Sequence, residues 1–333
     1  MSKKIKDTDY LYVTAFIWGH EPKLLSRDKV DRMLEARSFD DVAKVLEECG
    51  YGDMSDLSPS TLEEKLSERR AEVMDDMFSA APDSDIVNVF RIKYDYHNAK
   101  VLIKAQASGS APSALMSRAG RIKPEALTEA FHRADYNHIP SVLSAAMTDA
   151  KETLARTGDP QLADFILDKA YYREFNELAE ESGSEFLDGY AKLSVDSANL
   201  RTAVRAMRMD KDAQFLAEVL APGGNIGVSR ISDAVTTRSS LADLYTGSPL
   251  HAAAAEGAQV VSGGRLTLFE KLCDNALSSY VSAARISNIS ERVLVGYIAA
   301  VEAEISAVRI IMTGVFSGMS ADNIKERLRD PYV

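Results

Sequence analysis

The chain has 333 residues, of which 46% are apolar and 27% are charged, a composition that predicts a globular protein of about two domains and not a disordered chain. Its formal charge of -11 argues against a nucleic-acid-binding protein, because neutralising phosphates requires at least a clustered basic surface. Cys49 and Cys273 lie far apart without metal-ligand spacing. The sequence therefore predicts neither a disulfide framework nor a zinc site, and we expect both thiols in the core.

Two segments bear on membrane association. The opening stretch, MSKKIKDTDYLYV, has no apolar run of signal-peptide length, so we expect no secretion. The most apolar long segment, 293–316, contains Glu302, Glu304 and Arg309. Each charge would cost about 2.5–3.5 kcal/mol at the centre of a bilayer. We therefore predict a long buried helix here, and a membrane association that is at most peripheral.

Helical periodicity dominates the chain, and signals that start or stop helices recur along it. In chain order, the start signals are Ser26, Ser58-Pro59, Lys123-Pro124 and Asp159-Pro160. The clearest stop is Pro222-Gly223-Gly224, and sustained strand alternation is hard to find. The sequence predicts an all-α protein with short connectors.

An Asp-x-x-Asn pair recurs on two of the predicted helices. Asp95 and Asn98 lie in YDYHNAKVLI at 94–103, and Asp196 and Asn199 lie in VDSANLRTAV, 101 residues later. Residues three apart share one face of a helix. A weaker third copy is placed at Glu302, in VEAEISAVRI, a further 106 residues along.

A second sequence signature recurs with nearly the same period. SFDDVAKVL at 38–46 resembles DYNHIPSVL, which begins 97 residues later, and SLADLY begins a further 105 residues along. The agreement of the two periods predicts three helical modules, at 1–110, 111–213 and 214–333. Such modules bury little surface alone, so we expect them to pack against one another in a curved or ring-like array with an internal cavity.

The repeated polar residues have two interpretations. In the first they form a structural network that caps a neighbouring helix or pairs across a module junction. In the second they contact a partner protein. The members of this candidate network are Asp95, Asn98, Asp196, Asn199, Glu302 and Arg309.

A basic stripe follows the repeated pair on two of the three helices. Its spacing puts the side chains on one helix face, roughly opposite the Asp-x-x-Asn face. A solvated face or ion pairs between modules is one interpretation, and docking against an acidic partner is the other. The candidate partner-binding residues are Lys100, Lys104, Arg201, Arg205 and Arg208.

Motifs for catalysis or cofactor binding are missing from the sequence. No phosphate loop of the form Gly-x-x-x-x-Gly-Lys-Ser/Thr occurs, and APGGNIG at 221–227 lacks its lysine and hydroxyl residue. The five histidines have no metal-ligand spacing. We therefore predict no catalytic, cofactor-binding or metal-binding residue, although an enzyme that uses the Gly-rich turn stays as a minor alternative.

Several segments resemble one family over almost the whole chain. They are Tyr10-x-Tyr12, KLLSRDKVDRML from Lys23, YDYHNAKVLIKA from Tyr94, YAKLSVDSANLRTAVRA from Tyr190, the APGGNI turn and the ending AVEAEISAVRIIMTGVFSGMSADNIKERLRDPYV. The resemblance is to the C subunit of the V-type (A-type) ATP synthase, equivalent to the d subunit of the vacuolar ATPase. One departure is Phe16, where members commonly have an arginine, so a role of that basic position does not transfer.

This resemblance implies a funnel-shaped protein of three similar helical subdomains around a pseudo-three-fold axis. It implies a non-catalytic rotor socket, present in one copy per complex. The socket would receive the shaft made of the D and F subunits and would sit on the membrane ring of proteolipid subunits, at the cytoplasmic face. No cofactor and no nucleic acid is implied. The main rival from the residues alone is a helical-repeat scaffold that binds an unrelated protein.

Overall fold

The structure, a computed structural model, describes residues 6–36, 38–112, 115–283 and 289–330. Within these ranges the chain is helical and contains no strand, which confirms the predicted all-α class. The α-helices, in chain order, are α1 (Leu11–His20), α2 (Arg27–Glu35), α3 (Phe39–Glu48), α4 (Leu62–Ala80), α5 (Asp85–Ser108), α6 (Pro124–Arg133), α7 (Ser141–Thr157), α8 (Pro160–Glu181), α9 (Glu185–Arg208), α10 (Ala213–Val219), α11 (Val228–Thr236), α12 (Leu241–Leu244), α13 (His251–Val261), α14 (Leu266–Ser282), α15 (Glu291–Phe316) and α16 (Ala321–Arg327).

Helix starts follow the predicted signals closely. The Ser26 side chain accepts the Lys29 N–H at the start of α2, and Asp159 accepts the Gln161 N–H at 2.8 Å at the start of α8. Pro124 is the first residue of α6, where its missing N–H costs nothing. The signal at Ser58 differs, because Ser58 forms a turn with Thr61 and α4 begins only at Leu62.

The chain divides into two compact units. Unit 1 comprises residues 1–87 and 270–333, so it contains both ends of the chain. Unit 2 comprises residues 88–269. The three predicted modules of about a hundred residues stay a prediction.

Unit 2 has a core built by α5, α6, α7 and α8. The apolar faces of these helices meet in one cluster of buried side chains. Its largest members are Tyr96, Leu102, Ile103, Leu127, Phe131, Ile139, Leu143, Met147 and Leu167. Helix α9 packs against α8, α11 and α13 of the same unit.

Unit 1 is built around α15, which packs against α4, α1 and α2. Buried residues of α15 include Val308, Ile311 and Met312, so the predicted long buried helix is confirmed.

Within the described ranges, no helix has the length and apolar character needed to cross a bilayer. Cys49 and Cys273 are both buried, as expected.

Candidate functional site

The first Asp-x-x-Asn pair holds the segment that leads into α6. Asp95 Oδ1 accepts the backbone N–H of Ile122 at 3.0 Å, and Asp95 Oδ2 accepts Arg121 Nε at 2.7 Å. The Asn98 amide pairs with both backbone groups of Ser117, donating to its carbonyl and accepting its N–H, each at 2.8 Å. We call this arrangement the first clamp. In a clamp, a carboxylate on a long helix accepts the backbone N–H of the residue that lies two positions before the start of the next short helix.

The second pair makes the same contacts with the segment that leads into α11. Asp196 Oδ1 accepts the Ile226 N–H at 3.1 Å, and Oδ2 accepts the N–H and the side-chain amide of Asn225 at 3.1 and 2.8 Å. The Asn199 amide pairs with both backbone groups of Ala221 at 2.8 and 2.9 Å. This second clamp therefore repeats the first, with Asn225 in the place of Arg121.

A glycine allows the close approach in both clamps. A Cβ on Gly120 would lie 2.4 Å from Asp95 Oδ1, and a Cβ on Gly224 would lie 2.2 Å from Asp196 Oδ1. Both distances are too short for carbon and oxygen without bonding. The Gly-rich turn at 221–227 thus directs its N–H groups at a carboxylate of the same chain, which disfavours its use as a phosphate site.

A third clamp connects α15 with the segment that leads into α2. Glu304 Oε2 accepts the Leu25 N–H at 2.7 Å, and α2 begins two residues later at Arg27. The similarity of short sequence segments favours Glu302 as the third copy. The structure instead pairs Glu302 with Arg70, at 3.3 Å, so the carboxylate that makes the corresponding backbone contact is Glu304.

The third clamp lacks two polar groups that the others have. Leu24 precedes the held residue, at the position of Arg121 and Asn225 in the other clamps. Ala307 lies three residues after the carboxylate, at the position of Asn98 and Asn199. Glu304 Oε1 is buried and has no hydrogen-bond partner among the described residues. A cavity of about 330 Å³ lies beside it, lined by Leu24, Glu304 and Ala307 among others.

The clamp carboxyls are buried, and their pKa values reflect it. Burial raises the pKa of Asp95, against the effect of the Arg121 guanidinium, and raises that of Asp196 against its hydrogen bonds to Asn225 and Ile226. Burial raises the pKa of Glu304 to about 7, and the Leu25 N–H opposes this shift. The Tyr51 hydroxyl and the Arg69 guanidinium also oppose the rise in the pKa of Glu304.

Arg121 also ties the first clamp to α8. Its guanidinium lies 2.8 Å from Glu174 Oε1, and the Tyr96 hydroxyl donates to Glu174 Oε2 at 2.7 Å. Glu174 and Asp95 are both buried, so a single cation balances two buried carboxylates. Neither Arg121 nor Glu174 is among the residues predicted from the sequence. The available signal was Gly120-Arg121-Ile122, which matches Gly224-Asn225-Ile226.

Part of the predicted basic face forms ion pairs within unit 2. Lys100 pairs with Asp168, and Lys104 pairs with Asp164 at 2.6 Å, both on α8. The described contacts therefore agree with the ion-pair interpretation for these two lysines.

The arginines of α9 and α15 have different surroundings. Arg201 donates to Ser197 Oγ at 2.8 Å, whereas Arg205 and Arg208 are exposed. Arg208 approaches the Gly264 carbonyl at 3.4 Å. Arg309 makes a two-pronged ion pair with Glu63 of α4, at 2.6 and 2.9 Å, so it lies apart from the third clamp's contacts.

The polar residues that the structure brings together form clamps and ion pairs. No group of three or more His, Cys, Asp or Glu side chains suited to a metal ion occurs within the described part of the chain. The clamps can hold helices rigidly in register, because each buried backbone group has a fixed partner.

Comparison with known proteins gives one consistent result. Residues 13–327 match the family described as ATP synthase (C/AC39) subunit. The chain is 26% identical over 328 residues to the C subunit of the V-type sodium ATPase of Enterococcus hirae, covering 97% of this chain and 99% of that protein. It is 23% identical over 340 residues to the C subunit of the A-type ATP synthase of Thermococcus onnurineus, covering 98% and 91%. It is 24% identical over 337 residues to the C subunit of the A-type ATP synthase of Haloquadratum walsbyi, covering 95% and 96%.

Proposed function

From the premise that this chain belongs to the ATP synthase (C/AC39) subunit family, we propose that it is the non-catalytic socket of a rotary ATPase rotor. It receives the shaft formed by the D and F subunits and connects that shaft to the proteolipid ring of the membrane sector. It acts in one copy per complex, peripherally, at the cytoplasmic face of the membrane. Torque passes through it while the complex moves protons or sodium ions and makes or consumes ATP.

The observation that carries this proposal is the match over nearly the whole chain, with relatives that are C subunits of V-type and A-type enzymes. These relatives agree with the chain in length as well as in sequence. The resemblance therefore extends to the whole subunit and not to one shared module.

The clamps support a role in force transmission. A part that passes torque must not store the twist in a compliant joint, and tightly packed interiors have low compressibility. Clamped carboxylates add directional bonds that fix how each long helix meets the next short one. We propose that Asp95, Asn98, Asp196 and Asn199 serve this structural purpose, with Glu304 as the third member.

The exposed arginines of α9 support a further element of the proposal. A shaft of two different subunits is asymmetric, so its orientation in the socket has to be selected. Arg205 and Arg208, with a smaller contribution from Arg201, set this orientation by charge. Lys100 and Lys104 extend the same basic face on α5, where they pair with Asp168 and Asp164.

Copurification tests the proposal. A tagged chain expressed in its own cells should bring down the catalytic subunits, the shaft subunits and the proteolipid. Recovery of an unrelated protein in stoichiometric amount, without ATPase subunits, would favour the helical-repeat scaffold instead. The purified chain should also bind a purified D–F pair.

A salt series tests the orientation by charge. The triple variant Arg201→Glu, Arg205→Glu, Arg208→Glu should bind the D–F pair more weakly, with a flatter dependence on salt than the wild type. The triple variant Arg118→Glu, Arg156→Glu, Arg230→Glu is the matched control, because it changes the charge equally at exposed positions of the same unit. Unchanged affinity of a folded triple variant would contradict this element and leave the socket proposal standing.

A further inference from the structure

The third clamp differs from the other two in how the chain connects its halves. In the first and second clamps the held residue follows its carboxylate by 27 and 30 residues, so a short stretch of chain keeps the two together. In the third clamp 279 residues separate Leu25 from Glu304. No short connection from α15 therefore keeps the entrance of α2 in place, and non-covalent contacts have to do so.

Helix α2 buries little of its own surface. Met33 is the one buried side chain among its nine residues. The helices that the other clamps hold bury more, with two such side chains in α6 and three in α11. Helices shorter than about 12–15 residues are marginal in water without tertiary packing. An α2 that loses its contact with α15 should therefore unfold.

A cavity of about 330 Å³ reduces the packing between α2 and α15. Val30 of α2, Ala307 of α15 and Leu328 after α16 all line it. In the second clamp Asn199 stands at the position of Ala307 and bonds both backbone groups of Ala221. Side chains that face a cavity have fewer dispersion partners on that side. The contact of α2 with α15 is thus looser than its counterpart in the second clamp.

Polar contacts add one exposed and one buried connection to α2. Asp31 pairs with Lys325 of α16 at 2.8 Å, and the two side chains are 43% and 48% exposed. Exposed ion pairs contribute little to stability, because water competes for both charges. The buried connection is the bond from the Leu25 N–H to Glu304. The attachment of α2 therefore depends strongly on Glu304.

Glu304 is the group at this contact that changes charge near neutral pH. The titratable groups that interact with it come from α2, α4, α15 and the end of α3, namely Lys29, Arg69, Tyr297, Cys49 and Tyr51. The cavity wall adds Arg27, Asp31, Lys271, Lys325, Arg329 and Asp330. None of these groups has an ordinary pKa between about 5 and 8. Burial raises the pKa of Glu304 to about 7, whereas contact with water would favour its ionised form at a lower pH.

We propose that residues 25–35, the entrance and helix α2, form a pH-sensitive latch that is docked on α15 while Glu304 carries its proton and undocks when Glu304 releases that proton to water. Residues 21–24, between α1 and the entrance, are the hinge. Undocking unfolds α2 and leaves α15 packed against α1 and α4. A rise in pH through neutrality thus loosens one side of unit 1. The latch is a property of this chain alone and does not rest on the proposed function.

Native-state hydrogen exchange of the purified chain tests the latch. After correction for intrinsic exchange rates, residues 27–35 should have protection factors at least about tenfold lower at pH 8 than at pH 5. Residues 124–133 and 228–236 are the matched controls, because α6 and α11 are short helices held by clamps of the same kind. Their protection should change by less than about threefold. An unchanged protection of α2, or an equal change in all three helices, would overturn the proposal.

A comparison with α15 separates local opening from unfolding of the whole unit. At pH 8 residues 27–35 should be at least about tenfold less protected than residues 293–312. Their exchange should hardly respond to roughly 0–1 M urea, because local opening exposes little surface, whereas the exchange of α15 should respond steeply. Equal protection and an equal response to urea would mean that α2 opens only with the whole unit, and would overturn the proposal.

Removing the charge of Glu304 tests the proton dependence. Glu304→Gln keeps a side-chain oxygen that can accept the Leu25 N–H but cannot ionise, so it should raise the protection of α2 at pH 8 at least about tenfold and abolish the pH dependence. Glu326→Gln, at an exposed position of α16, is the control and should exchange like the wild type. A folded Glu304→Gln chain that keeps the pH dependence of the wild type would overturn the proposal.

Thiol labelling gives a second measurement that does not need a change at Glu304. Cys49 is buried and interacts with Glu304 and with Lys29 of α2, so undocking should uncover it. In a Cys273→Ser chain the labelling rate of Cys49, corrected for the reactivity of an exposed thiol, should rise at least about tenfold from pH 5 to pH 8. The reciprocal Cys49→Ser chain reports on Cys273 of α14 as the control. A rise for Cys49 no greater than that for Cys273 would overturn the proposal.

Discussion

The backbone N–H of Leu25 donates to Glu304 Oε2 at 2.7 Å, although 279 residues separate the two in sequence. Leu25 lies at the entrance to α2 and Glu304 lies in the middle of α15. Unit 1 is therefore held together by a bond between its N-terminal and C-terminal portions. The same backbone contact occurs at Ile122 and Ile226, where the carboxylate comes before the held segment in the chain.

The stability of unit 1 should depend on pH through Glu304. Burial raises the pKa of Glu304 from 4.5 to about 7, so the folded state favours its protonated form. The resulting stabilisation is fully present below pH 4.5 and is lost as the pH rises through about 7, because burial then disfavours the ionised carboxyl. The loss should approach about 3 kcal/mol in the free energy of unfolding. Glu304→Gln should remove most of this dependence and should be more stable than the wild type at about pH 8.

Denaturant unfolding between about pH 4.5 and 8 measures the effect. The titratable groups that interact with Glu304 are Arg69, Tyr51, Lys29, Cys49 and Tyr297. None of them has an ordinary pKa within roughly this range, so they should not mask the change. Glu326→Gln, at an exposed position, is the control. Equal pH profiles for the wild type and Glu304→Gln would refute the assignment.

Gly224 should not tolerate a side chain. Gly224→Ala puts a Cβ 2.2 Å from Asp196 Oδ1, so the turn has to move away from the carboxylate and its hydrogen bonds weaken. We expect a loss of about 2–4 kcal/mol in the free energy of unfolding. Gly227→Ala lies three residues along and meets nothing within 4 Å, so it should be nearly neutral. Comparable losses for the two alanine variants in chemical denaturation would argue against a tight second clamp.

Asp196 should be more important for stability than for binding. Asp196→Leu leaves the N–H groups of Asn225 and Ile226 without their acceptor inside the protein. Each buried donor left unpaired costs about 1–3 kcal/mol. The melting temperature should fall while the affinity of the folded chain for the D–F pair changes little. A variant with wild-type melting temperature and lost binding would make Asp196 a partner contact instead.

Both buried carboxylates that pair with Arg121 should depend on its charge. Arg121→Met leaves Asp95 and Glu174 buried without a positive charge, and we expect a loss of about 3–5 kcal/mol. The double variant Arg121→Asn, Glu174→Gln imitates the second clamp, where Asn225 serves in place of an arginine, and should recover much of that stability. Thermal unfolding of the two variants and of Glu174→Gln alone separates the contributions. A double variant no more stable than Arg121→Met would count against the equivalence of the clamps.

Local features of the fold were predictable from sequence because local chemistry determines them. Capping residues and prolines marked the starts of α2, α6 and α8, and apolar periodicity marked α15 as a buried helix. The Asp-x-x-Asn spacing indicated a shared helix face. The partners of Asp95 and Asp196 could have been found as well, since Gly-x-Ile follows each pair at a similar distance.

The third clamp was harder to predict. Similarity of short segments favoured Glu302, two residues from Glu304, and the residue that Glu304 holds lies near the opposite end of the chain. The glycine signal is also missing, since Lys23 stands two residues before Leu25. A glutamate is one methylene longer than an aspartate, so the held segment does not need the same close approach and a side chain is tolerated there.

The ion pairs of Lys100 and Lys104 could not be predicted from the sequence either. A helical stripe shows which residues share a face, but not which neighbour that face meets. Their carboxylate partners, Asp168 and Asp164, lie on α8, far along the chain from α5. Such pairings depend on tertiary packing.

The long-range bond of Glu304 imposes an order on the folding of a newly made chain. Ribosomes add about 5–20 residues per second, so Glu304 is synthesised roughly 15–55 s after Leu25. Both halves of each clamp in unit 2 are made much closer together in time. During that interval the early helices of unit 1 expose apolar surface, and chaperones that bind nascent chains would find their target at the N-terminal end.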